Sequence, residues 1–257
     1  RKRLKQFKEL LHTISPSGYE EESARVWASI ARGFTDDVSA DQHGNVYACI
    51  NRGGSPRVML AGHIDEIGLM ITHIDENGFL NFRTIGGWDP QVLPGQQVAI
   101  RADGGRVYGV IGKKPIHLLK KAERDKVTQV ENLWIDIGAG DRKTAAGRVA
   151  VGDPAVLHTG VLELGKQMLA SRGMDDKAGA FTVLETARRL ADSDLQAEVF
   201  AVATVQEEVG LRGSTTSAYT LHPQVGIAVD VCFGTDYPSM DNKNGEVKLG
   251  RGPELTR

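Results

Sequence analysis

The sequence lacks the features that let a chain hold together without an ordinary core. Its 257 residues include only two cysteines, Cys49 and Cys232, which excludes a disulfide framework and a four-thiolate zinc site. No apolar run approaches the roughly 18 residues that a membrane span requires. Neither sign of charge is in excess: 31 Lys and Arg face 33 Asp and Glu for a net −2. That balance argues against a nucleic-acid or membrane-surface partner. The basic run Lys113, Lys114, Lys120, Lys121, Arg124 and Lys126 is interleaved with Glu123 and Asp125 and reads as a solvated face. No apolar h-region follows the charged start Lys2-Arg3-Leu4-Lys5, so the start is not read as a signal peptide. These traits together predict a cytoplasmic protein. The first residue is Arg, not Met, which suggests a longer reading frame.

Hydrophobic residues make up 40% and charged residues 25%, which is the composition of a globular chain. The length fits one large domain or two modest ones. Thirty glycines, about 12% against the usual ~7%, imply many tight turns between short strands. Residues 1–67 read as helices followed by parallel-type strands. Leu4, Phe7, Leu10 and Leu11 recur at helical spacing, and Ser17 with Glu20 has the S-x-x-E spacing of a capping box before a second helix. Residues 68–160 differ, with short β-type runs punctuated by Gly-Gly, Pro-Gly and Asp-Gly-Gly, and helical character only at 118–130 and 141–146. From 161 to 257 the α/β rhythm returns. The pattern predicts an α/β fold, a three-layer αβα domain from 1–67 and 161–257, interrupted by a β-rich, barrel-like insert at 68–160.

Four clusters of acid or histidine fall where strands end, and α/β sheets gather ligands at such ends. They are His63-Ile64-Asp65-Glu66, Asp175-Asp176, Glu207-Glu208 and Asp230. Alone, each has a plain reading as a solvated turn, a helix cap or a strand end. Jointly they make an oxygen-rich site with one nitrogen, suited to Zn²⁺, Co²⁺ or Mn²⁺. His63 and Asp65 share one side of an extended segment, so Asp65 can orient the imidazole.

In fixed order, Gly62-His63-Ile64-Asp65-Glu66-Ile67-Gly68, Met174-Asp175-Asp176-Lys177-Ala178-Gly179, Val205-Gln206-Glu207-Glu208-Val209-Gly210 and Ala228-Val229-Asp230-Val231 resemble the successive motifs of the family 42 metallopeptidases, the tetrahedral (TET-type) aminopeptidases. The resemblance implies a metal-dependent aminopeptidase with two divalent ions per subunit. His63, Asp175 and Asp230 would hold one ion. Asp175 would bridge to the second, which Glu208 also binds. Glu207 would be the general base and Asp65 the residue that orients His63. The resemblance further implies a cis peptide at Asp175–Asp176, peptide substrates, and dimers that form through the insert and assemble into a dodecamer. It also implies a further His ligand beyond Asp230, where this chain has none. The second site is therefore expected to be incomplete, in a C-terminally shortened member of impaired activity. Two other readings stand beside this one: a non-catalytic assembly module, and a glycoside hydrolase using paired carboxylates.

Overall fold

A computed structural model of the protein describes residues 2–240 and 245–255, the Glu123 side chain excepted. Helices α1 (Lys2–Leu11) and α2 (Glu21–Ala31) lead into strands β1 (Val38–Ala40), β2 (Val46–Ile50) and β3 (Arg57–His63). Next come β4 (Gly68–Ile74), β5 (Leu80–Ile85), β6 (Gln97–Ala102), β7 (Gly105–Lys113), the short α3 (Lys121–Arg124), β8 (Leu133–Asp136), α4 (Arg142–Ala146) and β9 (Pro154–Leu157). A hairpin, β10 (Leu162–Leu164) and β11 (Met168–Ala170), precedes α5 (Met174–Leu190), β12 (Glu198–Thr204), α6 (Arg212–Leu221) and β13 (Val225–Ala228).

One five-stranded sheet runs β1-β2-β12-β3-β13. Its apolar strands alternate between two cores. Val46, Ala48, Ile50, Leu60, Val199, Ala201 and Ala203 face α2 and α5, meeting Trp27, Val183 and Leu184. Tyr47, Cys49, Met59, Phe200 and Val202 face the other way and meet Leu221 of α6. Helices on both faces make three layers, and burial on both faces explains why β12 contains no polar alternation. A close approach fixes Gly62: a Cβ there would sit 2.5 Å from the Ala180 amide nitrogen of α5.

The second body is a closed barrel, β4-β5-β8-β7-β6-β9, antiparallel throughout. Leu69, Ile71, Leu80, Phe82, Val98, Ile100, Ile111, Leu133 and Ile135 fill it. Closure removes the exposed edges that short, glycine-broken strands would otherwise present. The fold is an α/β domain joined to a β-rich barrel.

Three local expectations change, for β2, for 118–130 and for the start of α2. Strand β2 pairs antiparallel with β12, because a continuous apolar run reports burial on both faces and not the direction of the neighbour. Of 118–130 only Lys121–Arg124 is α-helical, flanked by single 3-10 turns at Ile116–Leu118 and Val130–Asn132; short helices depend on packing. The Glu123 side chain of the basic run lies outside the described residues. Strand β13 is the last strand of the described sheet, with Val225 and Ile227 exposed. Cys49 is buried, but Cys232 is exposed beyond the last strand. Finally, α2 starts at Glu21 without a side-chain cap, since both capping-box partners are engaged elsewhere, as described next.

Candidate metal centre

The site forms because β3 is parallel to both neighbours. Thr204 of β12 pairs with His63 of β3, and Ala228 of β13 pairs with Ala61. The C-terminal ends of three adjacent strands therefore reach one rim, where α5 also begins.

His63 ends β3, only 3% exposed. Its Nδ1 lies 3.1 Å from the Asp65 carbonyl oxygen and 3.3 Å from Asp65 Oδ1. This contact turns Nε2 toward the rim. There Nε2 lies 3.0 Å from Asp175 Oδ1, 3.6 Å from Glu207 Oε2 and 4.0 Å from Asp230 Oδ1. Asp65 is fully buried and does more than touch the imidazole. It accepts from Ser17 Oγ at 2.6 Å and from the backbone amides of Glu207 and Glu208 at 3.0 and 3.1 Å. Ser17 of the expected capping box is thus spent on Asp65.

The peptide between Asp175 and Asp176 is cis. Asp175 is open to the cleft, whereas Asp176 is fully buried. Asp176 accepts from the His63 amide through Oδ2 and the Gly179 amide through Oδ1, at 3.1 and 2.9 Å. Among the described residues, two groups each offer one ligand atom per residue within 4.8 Å of one another: His63, Asp176 and Asp230; and His63, Asp175 and Glu208. All six expected site residues reach this rim. Asp176 is the addition; its sequence signal, an Asp at the start of a helix, is indistinguishable from a cap.

The electrostatics show how crowded the rim is. Burial disfavours a charged imidazole, yet the hydrogen bonds to Asp175 and Asp65 push the His63 pKa up to about 11. Burial pushes Asp176 up to about 8, with the Asp230 charge adding to it. Burial and the neighbouring Asp175 raise Glu208 to about 7, and burial raises Glu207. Asp65 moves the other way: burial opposes its charge, but the hydrogen bonds from His63 and Ser17 hold it below the usual range. Carboxylates this close resist ionising together, and either bound protons or a cation among them relieves the repulsion. One imidazole nitrogen with several carboxylate oxygens suits a divalent ion such as Zn²⁺ or Mn²⁺.

Beneath the rim, sequence reasoning missed a buried ion cluster. Glu66 accepts from Lys177 Nζ at 2.7 Å and from Arg172 Nη1 at 2.5 Å, and Ser15 donates to it as well. The triad ties the loop after β3 to the start of α5. Glu66 and Lys177 stand inside the two motifs, but nothing in a linear sequence pairs residues 111 positions apart.

The model of the M42 glutamyl aminopeptidases matches residues 44–257. The chain belongs to this family. It is 34% identical over 254 residues to the lysyl aminopeptidase of Pyrococcus furiosus, an alignment covering 96% of this chain and 71% of that protein. Among solved structures, the TET aminopeptidase of a marine-sediment Thaumarchaeota archaeon superposes with a TM-score of 0.93 at 35% identity, covering 98% of this chain and 71% of that one. The Pyrococcus horikoshii TET1 peptidase, which can assemble into a tetrahedron or a large octahedral shell, gives 0.85 at 34%, covering 97% and 73%. The M42 chain described here is accordingly a metal-dependent aminopeptidase. In this M42 peptidase a cavity of about 400 Å³, lined by Ile67, Trp88, Leu157 and Met174, opens beside Asp175 and Glu208.

Proposed function

We propose that the chain removes N-terminal residues from peptides at a two-ion centre, with His63, Asp175 and Asp230 holding one ion and Asp175 and Glu208 the other. The observation that carries this reading is the convergence of the single His63 Nε2 on carboxylates from three different elements. Asp175 is favoured as the shared ligand because it is open to the cleft, while both oxygens of Asp176 are already held by amides. When bound, such ions polarise the scissile carbonyl and acidify the attacking water. Glu207 takes the proton: burial raises its carboxyl, which makes it a better base than an exposed glutamate and leaves it able to return the proton to the departing amine. Asp65 holds Nδ1 of His63, so Nε2 remains the ligand atom. The cavity beside Asp175 and Glu208 offers room for a substrate residue.

Zn²⁺ or Co²⁺, with Mn²⁺ as an alternative, fits the donor chemistry. The shell-forming TET1 peptidase supports a homo-oligomer of this chain; in the proposed assembly, dimers meet through the barrel and build up to a dodecamer. Among the described residues no helix is long and apolar enough to cross a membrane. Two free thiols fit a reducing, cytoplasmic setting.

The test is elemental analysis after dialysis together with turnover of a panel of aminoacyl chromogenic substrates. The expected result is bound divalent metal and an activity that a chelator abolishes and added metal restores. Chelator-resistant cleavage of a glycoside substrate, with no peptidase activity, would overturn the reading.

A further inference from the structure

The turn that carries the general base is held by two carboxylates, and only one of them follows the strand that supplies His63. Three successive backbone amides, those of Gln206, Glu207 and Glu208, each donate to a carboxylate. The last two donate to Asp65, at 3.0 and 3.1 Å. The first donates to Glu20 Oε1 at 3.0 Å, and the same oxygen accepts from the Gly18 amide at 2.8 Å. Glu20 stands immediately before α2, some 186 positions away in sequence, and is only 7% exposed.

This arrangement needs the third anchor. Gln206 has φ of +55°, a left-handed conformation that a non-glycine residue adopts only when its surroundings impose it. Asp65 fixes two adjacent amides, the Asn45 side chain takes the Val205 amide, and amides of residues 210–213 reach the carbonyls of Val205, Gln206 and Glu207. The Gln206 amide itself is taken by Glu20, and this bond sets the left-handed peptide from which the Glu207 side chain leaves the backbone. A buried carboxylate far from solvent would otherwise be costly, and it is retained here with two amide donors.

We propose that Glu20 is a positioning residue for catalysis: its carboxylate oxygen holds the left-handed Gln206 and thereby aims Glu207 at the reaction centre. It touches neither substrate nor any proposed metal ligand. The inference rests on the assignment of Glu207 as base, but its structural part can be tested without turnover.

The experiment compares the full chain with its Glu20→Ala, Glu20→Gln and Glu20→Asp variants. Hydrogen–deuterium exchange reads the anchor directly: Glu20→Ala should speed exchange across 205–208 by about tenfold or more while β12 and α5 keep their protection. Unchanged exchange there overturns the proposal even if the wild-type chain proves inactive, an outcome that would instead sink the aminopeptidase reading. With Co²⁺ loaded, Glu20→Ala should lower kcat on an aminoacyl anilide by roughly tenfold or more, with KM and metal stoichiometry close to wild type. Glu20→Gln keeps an acceptor oxygen and should stay within about threefold of wild type. If Glu20→Gln were as poor as Glu20→Ala, or if kcat fell only in step with metal content, the positioning role would be refuted. If Glu20→Ala does not fold, Glu20→Asp decides in its place: its side chain is one methylene shorter and cannot span to Gln206. Fast exchange at 205–208 with a lowered kcat is the result expected of it, and wild-type behaviour refutes the proposal.

Discussion

The central sheet and the barrel are both built from short β-strands, yet they treat their strand ends differently. In the sheet, β3, β12 and β13 run parallel, so their C-terminal ends collect His63, the Gln206–Glu208 turn and Asp230 on one rim. In the barrel every pairing is antiparallel, so neighbouring strands deliver their ends to opposite rims and no such collection arises. Both bodies bury good cores; only the parallel one concentrates chemistry. Strand direction, not strand composition, separates a site from a scaffold.

The sharpest way to break this comparison is at the rim. Glu207→Gln should cut turnover by about 10²- to 10⁴-fold while metal content stays near that of the wild type, because an amide cannot accept the water's proton. Glu208→Gln should instead lower metal stoichiometry. Equal metal loss in both variants would show that the two side chains do not divide the work.

A core cut in the barrel should act on stability alone. Leu80→Ala removes a fully buried side chain and should cost about 2–5 kcal/mol in denaturant unfolding. Metal bound per folded chain should be unaffected. A parallel loss of metal affinity would mean that the barrel shapes the rim after all.

A smaller effect should distinguish the site's supporting carboxylate by pH. Burial raises Glu20 to about 7, with the hydrogen bond from Gly18 opposing and the Asp65 charge adding to the rise. The folded chain therefore holds this proton more tightly than the unfolded one, whose Glu titrates near 4.5. The resulting stability is complete below the unfolded value and is lost as pH rises from there through about 7, an effect on the order of 1–3 kcal/mol. Thermal melts from pH 5 to 8 should show a smaller decline for Glu20→Gln than for wild type, and identical slopes would contradict the assignment.

The smallest change belongs to the barrel surface. Tyr108→Ser, at a half-exposed position on β7, should alter stability by less than about 0.5 kcal/mol. If β7 lies in a contact between copies, light scattering should nonetheless report smaller particles.

Much of this was legible in the linear chain because the informative patterns are local. His63 and Asp65 are two residues apart, and the apolar run that β12 begins ends at Val205, directly before Gln206. The glycine-broken runs of the barrel announce short strands in a β-rich module. What stayed hidden is non-local. Asp176 reads as a helix cap until the fold brings the His63 amide to it. Ser17 and Glu20 carry a capping-box spacing, but Asp65 and Gln206 compete for their side chains and win. Lys177 reads as an ordinary helix lysine, and only burial against Glu66 sets it apart.

The pairing of Thr204 with His63 has one more consequence. Adjacent strands stand about 4.8 Å apart, and each residue advances about 3.3 Å along a strand. The lateral spacing of the donors is thus set by hydrogen-bond geometry that every sheet shares, while their height on the rim is set by registry alone. A two-residue slip of β12 along β3 would keep each side chain on its proper face and leave the apolar layers packed. It would nevertheless carry Glu207 about 6.6 Å from its place beside His63. Metal binding in this chain is a gauge of strand alignment, sensitive to an error that the hydrophobic core would tolerate.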